Sequence, residues 1–326
     1  MTSLTGEDSN KVEWALQFKK KHTSVPKFFK IFGNLIIDVV SNPKSVLYFI
    51  FSVPLIIFFG VLQLFGLHYF CLYNTRIGHL AINSNKIVQE GLNKKHYYFF
   101  VSSRTANVIL QREVNKKINT IKIPHFIYKS GFVQWNASNR FSLLRKSHLF
   151  YDLGYHINGF IPKFADMKFS KEEEEFGQFY LRLRDISFPF VCACLKNGMY
   201  APLGDDRNVT DEEKKEFVKL FGMLKKAGIS VVLMGHHNPS DYDKYVIPYY
   251  KERNDFLDIY LLKYCGVIIG TDSGLGNVGE IMNKKVLWTC IVNPSSYSIY
   301  DKKKDDFYFR GQLNADVLYE KIFYSI

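Results

Sequence analysis

Val267-Ile268-Ile269-Gly270-Thr271-Asp272-Ser273-Gly274-Leu275-Gly276 is the stretch that decides the fold. A β-branched apolar run ends abruptly in small and hydroxyl residues, and Asn277-Val278-Gly279-Glu280-Ile281-Met282 then reads as the first turns of a helix. That order predicts a buried parallel strand feeding a glycine-rich turn and a helix N-terminus. Backbone N–H groups and the positive helix end then point at one spot. Such a corner, beyond the carboxyl end of a strand in an open α/β sheet, suits a phosphate. The expected fold class is α/β.

Outward from this corner, the same alternation repeats. Phe188–Leu195, Ile229–Met234 and Val286–Thr289 read as further strands, and Leu257–Tyr264 as a helix. Thr210–Ala227 reads as an amphipathic helix, capped by Thr210 with Glu213 three residues on. Ser170 before Lys171-Glu172-Glu173-Glu174-Glu175 predicts another helix start, with acids in the first turn, running through Leu183. Nearer the N-terminus, His68–Tyr73 and His96–Val101 read as strands, with helices over Leu80–Gly91 and Ala106–Lys117. The pattern predicts two Rossmann-like βα halves facing a cleft. We expect a segment over 1–67, an N-terminal acceptor-side half over 68–165 and a C-terminal ligand-binding half over 166–326.

The N-terminal segment points to a membrane. Residues 45–75 carry no charge, and Ser45–Gly66 is almost wholly apolar. As a helix, 22 residues would reach about 33 Å, enough for a hydrocarbon core. Pro54, Gly60 and Gly66 leave open a kinked or re-entrant path rather than a span. Upstream, Lys19-Lys20-Lys21, Lys27 and Lys30 interleave with Phe28, Phe29, Ile31 and Phe32, a basic amphipathic pattern suited to an anionic leaflet. The net charge of +12 divides as +3 over 1–44, +11 over 76–146 and −2 over 147–326. A basic first half beside a near-neutral second half calls for an anionic partner on one side. No nucleic-acid-binding motif accompanies it, so anionic membrane lipids or a lipid-phosphate acceptor fit better than nucleic acid. Basic flanks on both sides of the apolar run put the soluble part on the cytoplasmic side of the inner membrane. The five cysteines show no metal spacing and read as reduced, buried thiols.

Several of these residues together resemble the two-domain (GT-B type) glycosyltransferases, and in particular a bacterial group associated with surface-carbohydrate loci. Arg76-Ile77-Gly78-His79-Leu80-Ala81 follows the first strand as that group's Arg-x-Gly-His-Leu-Ala turn does. Glu174-Glu175-Phe176-Gly177 with Leu181, then Arg207-Asn208, then Asp258–Cys265 before Gly270-Thr271-Asp272-Ser273-Gly274-Leu275 keep its order and spacing. The Asp-Ser-Gly turn is also similar to that of heptosyltransferases, which use it on a nucleotide-sugar diphosphate. Two arginines usual in the group are absent: Lys196 stands after one strand, and Val232-Leu233-Met234-Gly235 carries no cation.

The resemblance implies a membrane-associated glycosyltransferase that moves a sugar from a nucleotide-sugar donor to a surface-glycan or lipid-linked acceptor, with no cofactor. It places Thr271, Asp272, Ser273, Gly274 and Leu275 at the donor diphosphate, with Lys196 and Arg207 as cations for the leaving group. Asp272 would fix the turn or meet a hydroxyl. Glu280 would accept a ribose or sugar hydroxyl, or else lie on a solvated helix face. On the acceptor side Arg76 and Gly78 flank His79, the candidate base for the attacking hydroxyl. His236 and His237 could line the same cleft. Asp241-Tyr242-Asp243 has the spelling of a metal motif but sits in a polar loop, and no metal is expected. Two other functions stay open. A nucleotide-sugar 2-epimerase carries a similar Thr-Asp-Ser-Gly turn, and the missing arginines would suit a degenerate, glycosyltransferase-like binding subunit.

Overall fold

The computed structural model describes residues 65, 67–93, 96–125, 128, 160–196, 208–235, 242–271, 273–291, 307–309 and 311–326. The basic stretch and, apart from Phe65, the apolar run lie outside the described residues. No helix among those described is long and apolar enough to cross a membrane.

The first half holds β1 (His68–Cys71), α1 (Ile77–Gln89), β2 (Tyr97–Ser102), α2 (Val108–Lys117) and β3 (Thr120–Ile123). Its three strands pair in the order β1-β2-β3, all parallel. Parallel neighbours need a crossover, which α1 and α2 supply. Leu80, Ala81 and Ile87 of α1 and Leu110 and Val114 of α2 bury against Phe99 and Val101 of β2. α2 begins at Asn107, whose side chain accepts the Leu110 N–H.

The rest of the chain runs α3 (Lys171–Leu183), β4 (Val191–Cys194), α4 (Asp211–Lys226), β5 (Val231–Leu233), α5 (Asp255–Tyr264), β6 (Val267–Gly270), α6 (Gly274–Ile281), β7 (Lys285–Ile291), β8 (Phe307–Phe309) and α7 (Ala315–Phe323). α3 and α4 both open on a full capping box, Ser170 with Glu173 and Thr210 with Glu213. The five strands are parallel in the order β5-β4-β6-β7-β8. The chain therefore starts on β4, steps outward to β5, and returns past β4 to lay β6 on its other side. That reversal makes the gap between β4 and β6 the topological switch point. β4 and β6 are buried throughout, which is why they read as unbroken apolar runs.

Their side chains alternate between two cores, as strand geometry requires. Val191, Ala193, Val267 and Ile269 pack with Phe217, Leu220 and Phe221 of α4. Cys192, Cys194 and Ile268 face the other way and join one cluster with Leu80, Phe99 and Leu110 of the first half. Composition allows each half a core of its own, but the structure gives them a shared one. Each fully buried Leu, Ile or Phe in it contributes roughly 1.5–3 kcal/mol. Polar contacts reinforce the seam. Asn107 Nδ2 donates to the Asp255 carbonyl at 2.8 Å, and Asp255 Oδ2 accepts the Val108 N–H at 2.7 Å. Asp255 at the start of α5 thus helps cap α2, and Asn107 at the start of α2 returns a hydrogen bond to the Asp255 carbonyl. Arg112 of α2 also grips Glu173 of α3 through two hydrogen bonds, 2.5 and 3.2 Å.

Candidate functional site

The switch point is tied together by Thr271, which is fully buried. Its N–H donates to the Cys194 carbonyl at 3.2 Å, its hydroxyl donates to the same carbonyl at 3.4 Å, and Oγ1 accepts the Lys196 N–H at 2.6 Å. One side chain thereby staples the carboxyl ends of β4 and β6. The Lys196 carbonyl accepts the Val209 N–H at 3.1 Å, closing the base of the loop that leaves β4. The Lys196 side chain is half-buried at this mouth. Sequence reading sets Thr271 at the phosphate; in the structure its hydroxyl joins the two strand ends.

Ser273 is the N-cap of α6, and its Oγ accepts the Gly276 N–H at 3.4 Å. The helix starts at Gly274, so the N–H groups of Gly274 and Leu275 have no partner within it. Leu275 buries its side chain in the shared core. Glu280 departs from both expectations held for it. It is buried, and Oε1 accepts the Trp288 indole N–H at 2.7 Å. It therefore joins α6 to β7 instead of presenting a carboxylate to a sugar or to solvent. The face it shares is opened by two glycines. A Cβ on Gly276 would come within 2.6 Å of the Trp288 ring, and one on Gly279 would strike Ile268.

Across the seam, α1 packs against α6, with the two N-termini in closest approach. A Cβ on Gly78 would lie 2.8 Å from Gly274 Cα and 2.9 Å from Asn277 Nδ2, and one on Gly274 would lie 2.6 Å from the Gly78 nitrogen. Only paired glycines permit that approach. Because α1 follows β1 and α6 follows β6, the contact brings the carboxyl edges of both sheets to one place. Arg76 occupies the N-cap position of α1 with its side chain exposed, and His79 stands in the first turn with its ring edge-on to Tyr73 at 5.2 Å. The structure thus sets Gly78, two residues from Arg76 and next to His79, against Gly274 at the start of α6, which Ser273 caps, ties Lys196 to Thr271 at the ends of β4 and β6, and turns Glu280 toward Trp288. Arg207, Asp272, His236 and His237 lie outside the described residues.

Sequence reasoning passed over three polar residues on the first sheet's edge. Asn74 is fully buried; it accepts the Ser102 N–H at 2.9 Å and donates to the Ser102 carbonyl at 3.0 Å. Ser102 Oγ receives the Arg104 N–H at 3.0 Å and shares a 2.7 Å hydrogen bond with His125 Nδ1. Each lies at or within three residues of the carboxyl end of a strand, which is the signal that could have found them. The loops 72–80 and 102–107 contain no Asp or Glu, while Arg76 and Arg104 are exposed there. That edge is positive and complements an anion.

Burial pushes the Cys192 and Cys194 thiols well up, which keeps them protonated. Asp243 is engaged by Tyr250 Oη at 2.7 Å and Lys251 Nζ at 3.3 Å. Among the described residues no three His, Cys, Asp or Glu side chains converge as a metal site.

No protein-family model matches this chain, and no curated protein matches it in sequence. Solved structures do. The ADP-heptose LPS heptosyltransferase II of E. coli superposes with a TM-score of 0.52 at 13% identity, over 79% of this chain and 98% of that one. The family 9 glycosyltransferase of Veillonella parvula gives 0.44 at 11% identity, over 79% and 95%. The E. coli heptosyltransferase WaaC with ADP gives 0.42 at 11% identity, over 78% and 97%. The first of these matches establishes a likeness of fold, an α/β architecture with parallel sheets.

Proposed function

We propose that this protein is a glycosyltransferase that binds a nucleoside diphosphate sugar at the β4–β6 switch point and passes the sugar to a hydroxyl on a glycan or lipid-linked acceptor. The observation that carries the reading is the abutment of α1 on α6. It sets the uncommitted amides at the start of α6 beside the positive edge of the other sheet. The E. coli heptosyltransferase II that shares the fold is named for an ADP-heptose donor, and a donor of that kind is the class proposed here.

In this account the Gly274 and Leu275 amides and the positive end of α6 hold the diphosphate, with Lys196 beside it as a point charge. The acceptor oxygen attacks the anomeric carbon and the bond from that carbon to the phosphate oxygen breaks. The electron pair leaves with the nucleoside diphosphate, where the helix end and Lys196 stabilise the growing charge. The hydroxyl proton passes to a base, for which His79 is the candidate. Arg76 and Arg104 draw an anionic acceptor to the first sheet's edge. The basic and apolar N-terminal residues would hold the enzyme against an anionic leaflet, on the cytoplasmic side of the inner membrane.

The test is turnover of a panel of nucleotide sugars by the purified full chain, with and without a bacterial lipid extract. Acceptor-dependent release of nucleoside diphosphate, with the sugar recovered on lipid or glycan, is the expected result. Isomerisation of a sugar still joined to its nucleotide would identify an epimerase. Binding without any turnover would identify a binding subunit.

A further inference from the structure

The outer face of α3 has no part in the crevice, and its pattern calls for a partner. The inner face is held fast: Gly177, Tyr180 and Leu181 are buried, and Glu173 and Glu174 are bonded to Arg112 and Tyr264. On the outer face Phe176, Phe179 and Leu183 are 48%, 54% and 62% exposed. At spacings of three and four they form one apolar stripe along the helix. Such a stripe of exposed apolar side chains on one helix face marks a binding surface.

The charges beside the stripe say what fits. Glu175 lies four residues before Phe179, and Arg182 three after. Both are exposed; Glu175 has only a 3.8 Å ion pair with exposed Lys171, and Arg182 forms no ion pair among the described residues. Read in either direction from Phe179, the face shows a charge and an apolar side chain, with the sign reversed at the far end. Turned end for end about a two-fold axis, it is its own complement. Exposed Glu172 and Glu175 would oppose an anionic bilayer, so a membrane is the poorer occupant.

We propose that α3 is the self-association surface of this protein, pairing antiparallel with α3 of a second copy. Phe179 packs near its symmetry mate, Phe176 meets the partner's Leu183, and Glu175 meets the partner's Arg182 twice over. One helix face buries less than the roughly 800 Å² per partner of a standard interface. The pairing is therefore a concentration-dependent equilibrium, and it does not depend on the reaction proposed above.

Sedimentation equilibrium of the full chain in detergent tests it through charge exchange. Wild type is expected to pass from monomer to dimer as concentration rises. Glu175→Arg and Arg182→Glu should each weaken that by about tenfold or more, because like charges then face each other across the axis. Mixing the two variants restores both pairs and should restore the dimer, as should the double variant alone. That rescue also shows that each single variant is folded. A wild type monomeric at every concentration, single variants that dimerise like wild type, or a mixture that stays monomeric would each overturn the proposal. So would anionic-vesicle binding abolished by Phe179→Asp without any dimer in solution.

Discussion

At the scale of single residues, Thr271 and Glu280 show how a motif divides its labour. Thr271 belongs to the turn by sequence, yet its hydroxyl is consumed in joining β6 to β4. Thr271→Val keeps the shape and removes both bonds, leaving the Lys196 N–H without its partner. The expected loss is about 1–3 kcal/mol of stability, read as a lower denaturant midpoint at constant slope. An unchanged midpoint would mean that the staple does not hold. The sequence reading sets Ser273 at the diphosphate, and the structure makes it the N-cap of α6, a role that follows the local rule of residue type and position. The inward turn of Glu280 was harder to see. The sequence reading begins the helix at Asn277, whereas it begins at Gly274. With that start, Gly276, Gly279 and Glu280 share one face, and two glycines on a face signal close packing against a sheet.

Among the elements, α5 owes its placement to a buried charge. Asp258 is fully buried, accepts from Arg253 Nε at 2.9 and 3.1 Å, and takes the Tyr249 hydroxyl at 3.0 Å. Burial raises its carboxyl pKa, while Arg253 and Tyr249 pull it back down. Arg253→Ala would strand the carboxylate, at a cost of about 3–5 kcal/mol near neutral pH. Without the guanidinium the folded pKa rises further above the unfolded one. The native state then binds the extra proton, so the penalty must shrink as pH falls through the folded value, and vanish below the unfolded one. Thermal melts of the variant and wild type between neutral and acid pH read this directly; a constant gap would contradict it. The periodic helices α3 and α4 and the unbroken apolar run of β6 were legible in sequence within a few residues. β3, β8 and α7 were not, because Lys122 interrupts β3, β8 lacks β-branched residues, and α7 follows a stretch without clear period.

For the whole molecule, the parallel α/β architecture followed from alternating patterns, but the joining of its halves did not. The shared core depends on which faces of α1 and α6 meet, a long-range fact that no window of sequence contains. The sign was present in hindsight as a glycine at the start of each helix. Gly274→Ala would drive a methyl to 2.6 Å from backbone nitrogen, which cannot swing aside as a side chain can. The expected cost is about 1–3 kcal/mol, together with weaker nucleotide binding, because the seam and the crevice are one structure. A variant as stable as wild type would show that the helices part freely. The claim on which the functional account rests is that the start of α6 holds a diphosphate. The most direct measurement is the melting temperature of wild type and Ser273→Asp, each with and without ADP, UDP, GDP and CDP. At least one nucleoside diphosphate should raise the wild-type value, since a ligand of the folded state alone stabilises it, and the added carboxylate should abolish the rise. An equal rise in both proteins, or none in wild type with any of the four, would contradict the account.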